Sequence, residues 1–137
     1  MKKIVSVLLA CILLVGCVFT LVSCGGPNAD PDVALEGLKA DGYVAAEDKI
    51  IIPFALSALG VKDIDTVISG TKVDGENDTV DHLTVIYFDD AEAATEAWDI
   101  VKEYAEEEKD EGEGEFVINK SGAMIYFGTK AAVAAAK

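Results

Sequence analysis

A short internal repeat limits the folds open to this chain. Residues 85–90 read VIYFDD and residues 124–129 read MIYFGT, so the two copies lie 124 − 85 = 39 residues apart. Each copy leads from an apolar stretch typical of a strand into a residue that can cap a helix, Asp90 or Thr129, and then into an alanine-rich segment. We predict two β-β-α units that form one antiparallel sheet with helices mainly on one face, an α+β two-layer sandwich. Chance similarity between two apolar strands is the alternative.

Alternation within the repeat assigns its side chains to two faces of the sheet. Those predicted to point towards the helices are Ile86, Phe88, Ile125 and Phe127. Those predicted to point the other way, and so to form a candidate ligand or partner face, are Leu83, Val85, Tyr87, Met124 and Tyr126. An antiparallel sheet usually has one solvated face, so this second apolar face needs a cover. Residues 33–60 are the expected cover, and another subunit or a ligand is the alternative.

The remaining pattern supplies further elements. Asp30 and Pro31 are typical of an N-cap and the first residue of a helix that ends at Gly42. Residues 49–52 fit either a strand or the start of a helix. The other predicted strands are residues 43–45, 64–73, 82–88, 116–119 and 123–127, the other helices are residues 54–59, a helix from Asp89 and residues 129–136, and residues 106–115 are an exposed acidic loop.

The first residues have the pattern of an export signal. Two lysines precede an uncharged apolar run at residues 4–22, and Cys24 follows. The order LVSC at residues 21–24 resembles the lipobox of bacterial lipoproteins. The resemblance implies that the Cys24 thiol carries a diacylglycerol, that residues 1–23 are removed as a signal peptide, and that lipid holds the protein on the extracytoplasmic side of the cell membrane. Two acyl chains meet the requirement for stable anchoring.

This interpretation also sets the domain boundaries. Residues 24–31 would be the lipidated Cys and a flexible tether, because they are rich in Gly and Pro. Residues 32–137 would then form a single small α+β domain. The apolar run is close to the ~20 residues that a spanning helix needs, so an uncleaved membrane anchor is one alternative. An ordinary signal peptide is the other.

The mature chain is strongly acidic. Loss of two of the 11 lysines leaves 11 − 2 = 9 against 25 acidic residues, a net charge of 9 − 25 = −16. Nucleic acid is excluded as a partner, because its binding starts with cationic side chains at phosphates. Anionic lipid headgroups are expected to repel the domain. Cys11 and Cys17 fall in the removed segment, so no disulfide is expected.

The sequence offers no recognisable catalytic set. His82 is the only histidine, and no serine lies in a G-x-S-x-G elbow. Zinc requires several Cys or His ligands, and the acidic stretch at residues 74–81 departs from an EF-hand loop. We therefore predict no catalytic residue, no cofactor and no metal site.

The function that we predict is non-catalytic binding of a partner protein or a small apolar ligand at the cell envelope. A homodimeric structural or accessory lipoprotein, which pairs through the second sheet face, is one alternative. A hydrolase that acts on envelope glycans through acidic residues is the other.

Overall fold

The computed structural model describes residues 26–76, 79–108 and 116–137. The strands of this part are β1 (Val44–Glu47), β2 (Ile64–Asp74), β3 (Thr79–Phe88), β4 (Phe116–Ser121) and β5 (Met124–Thr129). The helices are α1 (Pro31–Ala40), α2 (Ile51–Ala58), α3 (Ala91–Glu108) and α4 (Lys130–Ala135). The sequence left residues 49–52 open between strand and helix. In the structure Ile51 and Ile52 are the first two residues of α2.

The strands form one open sheet in the order β1-β2-β3-β5-β4, and every neighbouring pair is antiparallel. The two copies of the internal repeat lie side by side at β3 and β5, where Ile86 is the direct register partner of Ile125. The predicted α+β class and antiparallel sheet are confirmed.

The two faces of the sheet carry the side chains that alternation predicts. Ile86, Phe88, Ile125 and Phe127 pack in one core with α2 and α3, which contain most of the helical residues. The opposite core contains residues of α1 and α4. Helices therefore lie on both faces, and the prediction that α4 shares a face with α3 is wrong.

The two strand-to-helix connections explain the different positions of α3 and α4. Asp89 and Asp90 separate β3 from α3, and the Asp89 N–H donates a hydrogen bond of 2.9 Å to the Asp63 carbonyl oxygen. β5 instead continues directly into α4, with Thr129 in an extended conformation. The repeat therefore holds for the two strands, but the helices that follow them lie on opposite faces of the sheet.

Side-chain caps fix where α1 and α3 begin. Asp30 accepts a hydrogen bond of 2.9 Å from the Asp32 N–H, as expected of an N-cap before Pro31. Asp90, which the repeat predicts as a helix cap, accepts one of 2.8 Å from the Ala93 N–H, so Asp90 rather than Asp89 caps α3. α3 continues to Glu108, which shortens the predicted acidic loop, and residues 109–115 of that loop lie outside the described residues.

Candidate functional site

The five residues that we named as a ligand or partner face are part of the core. Each is at most 6 % exposed. α1 covers them from within the expected range of residues 33–60, whereas α2 lies on the other face and α4 supplies the rest of the cover. These side chains therefore offer no open sheet face. The five are Leu83, Val85, Tyr87, Met124 and Tyr126.

The segment before α1 is packed against the domain, so the described part of the predicted tether is not free. Pro27 is buried. The Asn28 N–H donates a hydrogen bond of 2.8 Å to the Ala136 carbonyl oxygen, and the Tyr87 hydroxyl donates one of 2.7 Å to the Asn28 carbonyl oxygen. Gly26 lies against the Tyr126 ring. Cys24 itself lies outside the described residues.

Two cavities border this segment. One, of about 520 Å³, is lined by Pro27 and by Tyr87 and Met124 of the predicted face. The other, of about 480 Å³, is lined by Gly26, by Tyr126 and by residues of β4 and α4. Tyr87, Tyr126 and Met124 are nearly fully buried, so only a small part of each side chain is exposed to solvent in these cavities.

A separate apolar surface lies on α2. Ile50, the residue before α2, and Ile51 and Phe54 within it are 74–76 % exposed, and we call these three residues the α2 patch. At 3.6 residues per turn they share the side of the helix opposite Leu56, which is fully buried against the sheet. Leu59, also exposed, follows the helix. The patch is larger than the single exposed apolar side chains that are normal on a protein surface.

Asp48 holds the start of α2 in place. Its carboxylate accepts hydrogen bonds from the backbone N–H groups of Ile50, Ile51 and Ile52, at 2.9, 2.9 and 3.1 Å. Its own N–H donates one of 2.8 Å to the Val67 carbonyl oxygen in β2. Burial acts to raise the pKa of Asp48, but the three N–H donors outweigh burial and hold the pKa below its ordinary value of 3.8.

The surroundings of the α2 patch are charged. A groove of about 630 Å³ runs between α2 and the start of β2. Its lining includes four carboxylates and two ammonium groups, which belong to Glu47, Asp48, Asp63, Asp65, Lys49 and Lys62. The groove contains Pro53 and Ser57 of α2 and none of the three patch residues, so α2 carries the apolar patch on one side and borders a mainly acidic groove on another.

The single histidine and the possible metal ligands can be placed within the described part of the chain. His82 lies half-buried in β3, with its ring centroid 6.0 Å from that of Phe116. Among the described residues, no group of three or more His, Cys, Asp or Glu side chains is placed to hold a metal ion. No helix in that part of the chain is long and apolar enough to cross a membrane.

Comparisons with known proteins add no relative. No family model, no curated protein and no solved structure matched the chain. The fold and the sites are therefore interpreted from their own geometry.

The α2 patch was missed by the sequence analysis, although a signal was present. Ser57 is the only polar side chain between residues 50 and 59. A helix of that composition is apolar all round, whereas a surface helix that packs on one side needs a polar face. Such a helix must either be fully buried or leave apolar side chains exposed. In this structure α2 packs on the sheet through one side and exposes the other to solvent.

Proposed function

We propose that this chain is a non-catalytic domain, held by a lipid at Cys24 on the extracytoplasmic side of the cell membrane, and that its α2 patch binds a partner protein. One observation supports the binding role. Three adjacent large apolar side chains, one of them aromatic, project from a helix whose opposite side is buried. Apolar side chains, Phe among them, are enriched in the buried core of protein interfaces.

The chemistry of the partner follows from the edge of the patch. Glu47, Asp48, Asp63 and Asp65 line the groove beside α2, and the mature chain has a net charge of 9 − 25 = −16. A complementary partner has an apolar groove with a basic rim, which also speeds encounter at low salt. A second copy of this chain would bring the same excess of carboxylates to the interface. The charge therefore favours a different protein over a homodimer.

A photo-crosslinking experiment tests the patch. We place a photo-crosslinking amino acid at Ile51 in the native membrane-anchored protein, and place the same group at Val44 as a control, because Val44 is 84 % exposed but lies on β1. We expect a discrete adduct from position 51 alone, and its loss when Phe54→Ser is added. The protein captured in this way is then purified for a binding measurement.

The binding measurement separates a specific partner from an incidental neighbour. Phe54→Ser is expected to weaken the affinity by roughly 30-fold, since truncation of an interface centre costs about 2 kcal/mol or more. Val44→Ser should leave the affinity unchanged, and added salt should weaken binding to a basic-rimmed partner. Equal adducts from positions 44 and 51, or an affinity unaffected by Phe54→Ser, would overturn the proposal.

Stability controls show that these variants report on binding. Phe54 is exposed, so Phe54→Ser should change the free energy of unfolding by no more than about 0.5 kcal/mol. Leu56→Ala, on the buried side of the same helix, should cost about 2–5 kcal/mol. Urea unfolding of the three proteins measures the difference.

A further inference from the structure

Lysines and carboxylates are segregated along the chain. All 25 acidic residues lie within residues 30–115. Residues 116–137 contain three lysines and no acidic residue. A domain with a strongly negative net charge therefore has a C-terminal segment that carries only positive side-chain charge.

The fold gathers these three lysines around one groove. The cavity of about 480 Å³ between β4 and α4 is lined by Lys120, Lys130 and Lys137, together with the polar side chains of Asn119 and Ser121. We call it the lysine groove. No Asp or Glu is among the described residues that line it. Cationic and neutral hydrogen-bonding groups in one concave site suit a phosphate ester.

The point where the chain enters the domain lies at the same groove. Gly26 is part of its lining, and burial of Pro27 and the hydrogen bond from Asn28 to Ala136 fix the segment that follows. Cys24 is two residues before Gly26. Two residues reach at most about 7 Å, so a lipid on Cys24 would enter the membrane beside the groove.

We infer that the lysine groove contacts anionic phospholipid headgroups of the membrane in which the Cys24 lipid is embedded, an inference that rests on the proposed lipid anchor. The net charge predicts repulsion from such a membrane, but electrostatic interactions are screened beyond about 8–10 Å at physiological salt. At the membrane surface the nearest charges determine whether the domain is attracted or repelled. Each lysine there increases the equilibrium constant for binding to an anionic membrane by about fivefold. The contact would orient the domain with its acidic surface away from the lipid.

Lysine reactivity measures this contact without added labels. The mature chain, coupled at Cys24 to a synthetic diacyl lipid, is inserted into vesicles of phosphatidylcholine alone or of phosphatidylcholine with phosphatidylglycerol. A water-soluble acylating reagent is added, and mass spectrometry gives the rate at each lysine. We expect the rates at Lys120, Lys130 and Lys137 to fall about threefold or more on the anionic vesicles, and high salt should restore them.

Three other lysines serve as internal controls. Lys49, Lys62 and Lys102 are exposed and lie beside α2 or on α3, which pack on the sheet face opposite α4, so their rates should be the same on both vesicles. Replacing the groove lysines by glutamine should remove the difference between vesicles in domain orientation, measured by neutron reflectometry, whereas the same change at the control lysines should not. This matched pair changes the net charge equally.

Each other outcome overturns the inference. Equal rates at the groove lysines on both vesicles, or a fall at all six lysines, would exclude a specific contact. Protection by inorganic phosphate on phosphatidylcholine vesicles, without a further effect of phosphatidylglycerol, would identify a site for a free anion instead. Because the lipid is coupled chemically, the result does not depend on native acylation of Cys24 or on the α2 patch, and so a failure here is distinct from a failure of the proposed function.

Discussion

At the scale of single residues, Asp48 links the backbone of the sheet to the candidate binding surface. Its N–H is bonded to β2, and its carboxylate receives three N–H groups at the start of α2. The helix that carries the α2 patch makes few other polar contacts with the sheet in the described part of the chain. The charge on one side chain therefore contributes to the position of the whole patch.

Asp48→Asn tests this contribution through its pH dependence. A depressed pKa in the folded state means that ionised Asp48 stabilises the fold above its unfolded pKa of about 3.8, and that this stabilisation is lost as the pH falls through the lower folded pKa. We expect Asp48→Asn to cost about 0.3–1 kcal/mol near neutral pH, because Asn keeps an oxygen that can accept from the backbone but loses the negative charge at the helix N-terminus. The difference between the two proteins should disappear in acid, because the native carboxyl group is then also neutral. Urea unfolding across this pH range measures it, and a difference that persists in acid would contradict the assignment.

At the scale of elements, the sheet depends on the close approach of β3 and β5 at Gly128. Gly128 is the register partner of Leu83. A Cβ atom added at Gly128 would lie 2.7 Å from the Leu83 Cα atom and closer still to the His82 carbonyl oxygen. Both contacts are with backbone, so no side chain can move aside and the two strands would have to separate.

Gly128→Ala is therefore expected to destabilise the domain severely. Overpacking of a core typically costs 1–3 kcal/mol, and a backbone clash at the centre of the sheet should cost at least about 3 kcal/mol. Gly75→Ala is the matched control, since nothing lies within 4 Å of a Cβ atom there. Thermal unfolding followed by circular dichroism compares the two, and similar midpoints would show that β3 and β5 are not packed as described.

The elements also show how far the sequence alone determines the fold. The repeat predicted the strands and the correct face for Ile86 and Ile125, because period-two alternation depends only on local geometry. The repeat did not predict the face on which α4 lies, because the direction of a helix after a strand depends on the connection between them. Asp89 and Asp90 separate β3 from α3, whereas no residue separates β5 from α4. The α2 patch could not be placed from sequence, since an all-apolar helix does not reveal which of its sides is covered.

At the scale of the whole molecule, the tyrosines couple folding to alkaline pH. Burial, with added repulsion from the carboxylates of Asp81 and Asp41, raises the pKa of Tyr43 to about 12. Burial, and then the carboxylate of Asp30, raises the pKa of Tyr87. Burial also raises the pKa of Tyr126, against an opposing hydrogen bond from Asn119. All three rings belong to the core beneath α1 and α4, so ionisation of any of them would place a charge in that core.

The sign of the effect follows from which state holds the proton. Between an unfolded pKa of 10.0 and a folded pKa of about 12, Tyr43 is ionised in the unfolded chain and protonated in the folded domain. The unfolded chain binds fewer protons in this range, so the free energy of unfolding must fall as the pH rises.

We expect tyrosinate absorbance and loss of β-sheet circular dichroism to appear together. Tyr43→Phe removes one of the coupled groups, so its free energy of unfolding should fall less steeply with pH in urea titrations. Tyrosinate absorbance with an ordinary midpoint, while the sheet signal stays native, would show that these rings are open to solvent and that α1 and α4 do not seal the second face of the sheet.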